Sequence, residues 1–218
     1  MIAIVDYGAG NVASVLKALH HLGAEAVVTA DPAVLGAAAH VVFPGQGHFG
    51  QAMARLHATG LDAVLQDVLA RGVPFTGICL GLQLLFEGSD EAPGVAGLGY
   101  FRGRCVSFQP PNKTPQIGWN DLRVHRQQAK AESESSSPLD ASFDGQHVYF
   151  VHSYHAVATE PEFVVATADY GGSFCAAVQR GPVFAAQFHP EKSGEVGLRL
   201  LRNCIDRNPP VGQGTSRC

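Results

Sequence analysis

Through its first hundred residues the chain alternates short apolar runs with stretches whose apolar residues recur at helical spacing. Ile2 to Val5 runs into the turn signal Asp6-Tyr7-Gly8, and Val12, Val15, Leu16 and Leu19 then fall at i, i+3, i+4 and i+7. Ala26-Val27-Val28 and Val41-Val42-Phe43 read as further buried strands. Leu61, Val64, Leu65, Val68 and Leu69 repeat the helical period before Gly72 stops it. Val73 to Ile78 then leads as a strand into Cys79. Strands that alternate with helices join by crossovers, which predicts an α/β fold with a mostly parallel central sheet flanked by helices.

After residue 100 the texture changes. Phe101 to Val106, His147 to Val151, Phe163 to Ala166 and Phe174 to Val178 are short strand-like runs with little helix between them. They predict antiparallel strands added to the same sheet rather than a second domain. A last helix is expected from about Ser193 to Ile205, with Val196, Leu200 and Cys204 on one face. Residues 127–142, centred on Glu132-Ser133-Glu134-Ser135-Ser136-Ser137-Pro138, are too polar to bury and read as a mobile surface loop. The expected organisation is one domain over residues 1–206 and a flexible tail over 207–218.

With 15 basic and 19 acidic residues in 218, the net charge is −4 and no basic stripe stands out. Nucleic acid and acidic membrane surfaces are poor partners for such a chain. Cysteines 79, 105, 175, 204 and 218 include no C-x-x-C pair, and the histidines lack ligand spacing, so neither a disulfide framework nor a metal site is expected. Strand-like residues follow Met1 directly where a signal peptide would stand. No apolar run approaches the roughly 20 residues that span a bilayer. A reducing cytoplasm is the expected setting.

Two short strings carry chemistry. Gly77-Ile78-Cys79-Leu80-Gly81 sits where a strand should give way to a helix, and its flanking glycines fit a sharp elbow. An elbow exposes the sulfur, the helix N-terminus favours a thiolate, and the Leu80 N–H points where an oxyanion would form. His189-Pro190-Glu191 supplies a base and a carboxylate two residues apart, which an extended segment turns to one side. Glu191 can then fix the imidazole tautomer while the other ring nitrogen meets Cys79. Together they make a candidate Cys79–His189–Glu191 triad.

Six strings extend the pattern: Asp6-Tyr7-Gly8-Ala9-Gly10-Asn11, Pro44-Gly45-Gln46-Gly47, Gly77 to Gln83, Pro115-Gln116-Ile117-Gly118-Trp119-Asn120, Tyr149 to Tyr154, and His189 to Ser193. In this order they resemble the class I, triad-type glutamine amidotransferases, which are flavodoxin-like three-layer domains. The strings around Trp119 and Tyr149 are similar to those of the glutaminase subunits of imidazole glycerol phosphate synthases. The resemblance runs from residue 1 to about 206.

It implies hydrolysis of glutamine through a cysteinyl thioester, without metal or organic cofactor. The ammonia would pass to a (β/α)₈-barrel cyclase subunit in a heterodimer of histidine biosynthesis. It also implies an oxyanion hole built from the backbone of Leu80 with Gln46 or Gly47. Gln46 stands where many relatives have a small apolar residue, which leaves the second amide open between these two. Gly45, Gln83, Ser153 and Tyr154 would contact glutamine; Gln83, four residues after Cys79, returns to the same helix face. Asn11, Trp119 and Lys192 would lie toward the partner.

Overall fold

The computed structural model describes residues 1–109, 111–125 and 137–206. The chain begins with β1 (Ile2–Val5), α1 (Val12–His21), β2 (Ala26–Thr29), α2 (Pro32–Gly36), β3 (His40–Gly45), α3 (Phe49–Thr59), α4 (Leu61–Ala70) and β4 (Phe75–Cys79). Next come α5 (Leu80–Gln83), β5 (Phe86–Ser89), β6 (Phe101–Ser107), β7 (Gln116–Asp121) and β8 (Arg123–Val124). It continues through β9 (His147–His152), β10 (Tyr154–Ala158), β11 (Val164–Asp169), β12 (Ser173–Arg180), β13 (Val183–Ala186) and α6 (Gly194–Asp206).

Eight strands form the main sheet in the order β2-β1-β3-β4-β13-β12-β11-β8. Neighbours from β2 to β13 are parallel, and β12, β11 and β8 continue the sheet antiparallel. Side-chain alternation along β1 shows why the fold has three layers. Ile2 and Ile4 pack on Val15 and Leu19 of α1. Ala3 and Val5 face the other way, onto Leu35, Leu56, Leu61 and Leu65 of α2, α3 and α4. Strands β3 and β4 are buried along their whole length, which is why they read as unbroken apolar runs. Helix α6 buries Leu200 and Cys204 against Phe184 and Ala186 of β13, with Val196 packed beside them.

Several expectations change in detail. Strand β2 is only partly buried, because it is the sheet's edge. Phe101 to Val106 and His147 to Val151 leave the main sheet: β6 joins β10 and β5 in a three-stranded sheet, and β9 pairs with β7 alone. Strand β6 alternates buried Phe101 and Cys105 with exposed Arg102 and Arg104, the pattern of a strand covered on one face only. Phe163 ends a 3₁₀ turn, and its strand starts one residue later. Of the presumed loop over 127–142, residues 127–136 lie outside the described residues, and its end folds against the core. Leu139 is buried, and Asp140 caps the 3₁₀ turn Ala141–Phe143 through a 2.9 Å bond from the Ser142 N–H. The tail over 207–218 also lies outside the described residues. Among the described residues no helix is long and apolar enough to cross a membrane.

Candidate active site

Strands β3, β4 and β13 lie side by side and run the same way, so their C-terminal ends open on one edge of the sheet. Gly45 is in register with Cys79, and Ile78 with Ala186, so Gln187 follows at the level of Cys79. Strand order alone thus gathers Gly45 to Gly47, Cys79 and His189.

Cys79 has φ 56° and ψ −110°, and among the described residues it is the one non-glycine with positive φ. Such a conformation costs about 1–3 kcal/mol and persists only where packing enforces it. The packing is here. A Cβ at Gly81 would run into the Phe43 carbonyl oxygen, and one at Gly45 would lie 2.8 Å from both the Gly81 nitrogen and the Tyr7 hydroxyl. Helix α5 then lasts only four residues, too short for the helix dipole expected to favour a thiolate. What it does offer is unpaired amides, since Leu80 at its first position has no intrahelical acceptor.

The Cys79 side chain lines a cavity of about 340 Å³, whose walls include Gln46, Gly47, Leu80, Gln83, Ser153 and Tyr154. Sγ lies 3.8 Å from the Val151 carbonyl, which can accept the thiol proton, and 3.7 Å from Nε2 of Gln187. Gln83 is buried, and its amide nitrogen donates to Tyr154 O at 2.8 Å and to Gln187 Oε1 at 3.0 Å.

His189 lines the same cavity. Its Nδ1 is 2.8 Å from Oε1 of Glu191, with the two side chains 4% and 1% exposed. The intervening geometry is not extended as expected. Pro190–Lys192 is a 3₁₀ turn preceded by an extended His189 at φ −103° and ψ 94°. The fixed φ of Pro190 suits a first helical position, so Glu191 reaches back by a turn. The loop is pinned to β9: the His189 N–H donates to Tyr149 O, and the Ser193 hydroxyl donates to His189 O while accepting the Tyr149 N–H.

Burial by itself would push the His189 imidazole down; the Cys79 sulfur and the Glu191 carboxylate outweigh it and hold the pKa at about 10. Nε2 makes no hydrogen bond of ordinary geometry and is shut off from solvent. The ring stands beside the sulfur, and the contact with Cys79 is the first of the influences that keep it protonated. This arrangement can generate a thiolate, hold an imidazolium beside it and admit a small ligand.

Residues 3–207 match the family model of class I glutamine amidotransferases. The chain belongs to that family. This amidotransferase is 47% identical over 206 residues to a protein of Methanothermobacter thermautotrophicus named imidazole glycerol phosphate synthase subunit HisH, covering 94% of this chain and 98% of that one. A protein of the same name from Geobacillus kaustophilus is 44% identical, covering 98% of this chain and all of that one. Two solved structures share the amidotransferase fold. A glutamine amidotransferase superposes with a TM-score of 0.72 at 19% identity, covering 95% of this chain and 99% of that one. A chain of PurLQS from Thermotoga maritima does so at 0.67 and 21%, covering 94% and 97%.

The remaining residues named from the sequence of this amidotransferase fall in three places. Lys192 lines the cavity with Cys79 and His189. Trp119 stands on β7, 56% exposed, with its ring 6.0 Å from Tyr149 across the β7–β9 ribbon. Asn11 sits at the start of α1, half-buried, and its side chain makes no capping bond. Sequence reasoning passed over Glu91 and Pro115, which line the cavity, and Gln187, which touches the sulfur. Gln187 directly precedes Phe188-His189, a place that could have flagged it. Glu91 had no such signal, because its position depends on the turn after β5, where its carboxylate accepts the Phe49 N–H at 2.7 Å. Among the described residues no cluster of three or more His, Cys, Asp or Glu side chains could hold a metal ion.

Proposed function

We propose that this amidotransferase is the glutaminase subunit of an imidazole glycerol phosphate synthase. It hydrolyses glutamine to glutamate and ammonia. The observation that carries the chemistry is the strained Cys79 elbow opening on a cavity that His189 also lines, with Glu191 buried behind the imidazole. The relatives of the same name, matched over nearly their whole length, support the assignment to this synthase.

In the reaction the Cys79 thiolate attacks the side-chain amide carbon of glutamine, and the carbonyl oxygen becomes an oxyanion held by backbone amides, Leu80 with Gln46 or Gly47. The His189 imidazolium gives its Nε2 proton to the amide nitrogen, and ammonia leaves as the C–N bond breaks. His189, now neutral, takes a proton from water as it attacks the thioester. Glutamate departs and the thiolate–imidazolium pair is restored. Glu191 keeps the ring oriented and balances its charge at both stages.

The cavity suits an amino acid because a carboxylate, Glu91, and an ammonium, Lys192, both stand in its walls. Both N–H contacts of Gln83 are directed to Tyr154 and Gln187, so Gln83 has its carbonyl oxygen to turn to the substrate ammonium. Ser153 and Tyr154 line the cavity; Gly45, expected beside them, packs instead against Gly81 and Tyr7 and leaves room for the elbow. The ammonia passes to a (β/α)₈-barrel cyclase docked on the side of Asn11, Trp119 and Lys192. Ile117 and Trp119 project from one face of β7, 62% and 56% exposed, an apolar pair suited to such an interface. The reaction needs Cys79 as a free thiol, and it is free, as are the other three described cysteines.

The deciding experiment measures glutamate release by the chain alone and with the cyclase loaded with its nucleotide substrate. Slow turnover alone and a large increase in the complex are expected. Equal rates would rule out coupling to this partner. Labelling of Cys79 by a glutamine-mimicking electrophile, lost in Cys79→Ala, tests the nucleophile separately.

A further inference from the structure

A line of hydrogen bonds runs from the cavity wall to the nucleophile. The Tyr154 carbonyl accepts from His152 Nδ1 at 2.9 Å and from Gln83 Nε2 at 2.8 Å. Gln83 Nε2 also lies 3.0 Å from Gln187 Oε1, and Gln187 Nε2 lies 3.7 Å from Cys79 Sγ. A backbone carbonyl can only accept, so it fixes which end of the Gln83 amide is nitrogen. That nitrogen in turn requires the oxygen end of Gln187. One orientation of Gln187 then remains, with its N–H groups toward the sulfur. Gln187 is wholly buried, so no water competes for that donor.

The thiol form has its own partner, because the Val151 carbonyl lies 3.8 Å from Sγ. A carbonyl dipole stabilises S–H and repels S⁻. An amide N–H does the reverse. Helix α5, with four residues, supplies little dipole to favour the anion. The sulfur thus sits between one group that favours the thiol and two, His189 and Gln187, that favour the thiolate.

We propose that Gln187 is a catalytic residue of this site, donating an N–H to the Cys79 thiolate, and that Gln83 is the positioning residue that locks its amide. The proposal rests on the glutaminase reading for its catalytic meaning, but not for its test. After β13 brings Gln187 level with Cys79, the donor is in place before any substrate arrives. During acyl transfer the sulfur loses its negative charge and the bond to Gln187 weakens, and it strengthens again when the thiolate leaves the thioester.

The experiment follows alkylation of Cys79 by iodoacetamide against pH in the full chain, read peptide by peptide by mass spectrometry. Burial pushes the Cys105 thiol up and the Cys175 thiol up to about 12, so neither masks the Cys79 signal. Gln187→Met keeps the length and apolar packing of the side chain and removes the donor. The apparent pKa of alkylation should rise by about one unit, and kcat should fall about tenfold near neutrality with KM changed little. Gln83→Met leaves Gln187 present but free to turn, and should shift the alkylation pKa the same way by less. If Gln187→Met melts too low to assay, Gln83→Met decides by the same readout. An alkylation profile identical to the parent in the folded variant overturns the proposal. The parent's labelling by a glutamine-mimicking electrophile reports on the glutaminase reading independently, so the two can fail separately.

Discussion

The Nδ1 nitrogen of His189 lies 2.8 Å from Oε1 of Glu191, and solvent reaches neither side chain to any extent. A buried carboxylate beside an imidazole is costly unless the imidazole is charged, so the pair favours the protonated ring. The His189 pKa stands at about 10 against an ordinary 6.5. A raised value adds stability that is complete below 6.5 and lost as pH climbs through 10. Glu191→Gln keeps the shape and removes the charge. It should lower kcat by about 10²- to 10⁴-fold. Its alkaline limb of activity should move down by about one unit relative to the parent's, because Glu191 and Cys79 together keep the ring protonated. Coincident pH profiles for the two proteins would show that Glu191 does not hold the charge on His189.

Two glycines near the nucleophile should respond to alanine for different reasons. At Gly81 a Cβ meets the Phe43 carbonyl, which belongs to the main sheet and has nowhere to go. Gly81→Ala should cost about 1–3 kcal/mol or more in urea unfolding and open the elbow, abolishing turnover. At Gly47 nothing lies within 4 Å, but φ is 97°. Gly47→Ala is therefore a local conformational cost of about 1 kcal/mol, felt in the loop rather than the core. Equal destabilisation of the two variants would contradict this division.

The parallel half of the fold was readable because β1, β3 and β4 are short apolar runs framed by turns, and α1 and α4 show unbroken helical spacing. Strand β13 was harder. Val183-Phe184-Ala185-Ala186 is only four residues long and half alanine, a poor strand former, and becomes a strand because β4 and β12 hold it on either side. That strand is also what levels Gln187 with Cys79, so the donor to the sulfur went unseen although the residue stood two places before His189. The nearness of Cys79, His189 and Glu191 was legible because the glycine-flanked elbow and the His-x-Glu string occur together; either one alone is ordinary. The 3₁₀ turn at Pro190 was misjudged, since proline excludes helix interiors but is at home at a helix start. Whether a strand such as β6 joined the main sheet or left it depended on long-range pairing, which no local pattern records.

Trp119 makes an edge contact with Tyr149 and leaves more than half of its surface exposed. Removing an exposed ring of this kind should cost the isolated chain no more than about 0.5 kcal/mol. If the β7–β9 ribbon docks the cyclase, Trp119→Ala should leave the melting temperature nearly unchanged and weaken association by about tenfold or more. Calorimetric titration of cyclase into the two proteins reads this directly. A variant that binds like the parent would place the interface elsewhere.

His40 begins β3 with its ring inside the protein and Nε2 2.9 Å from the Thr76 hydroxyl, while Nδ1 has no partner. Burial is the cause of its pKa falling from 6.5 to about 4. The folded chain thus binds this proton less readily than the unfolded chain. Its contribution to stability is full above 6.5 and is lost as pH drops toward 4. The gap corresponds to about 3 kcal/mol. His152, pushed down to about 3 by burial, loses stability in the same direction, so a variant at His40 should remove only its own share. His40→Gln can still reach Thr76 and has no proton to gain. Urea unfolding from pH 7 to 4 should therefore fall more gently in His40→Gln than in the parent. Parallel curves would mean that His40 is already charged in the folded protein or that water reaches its ring on acidification.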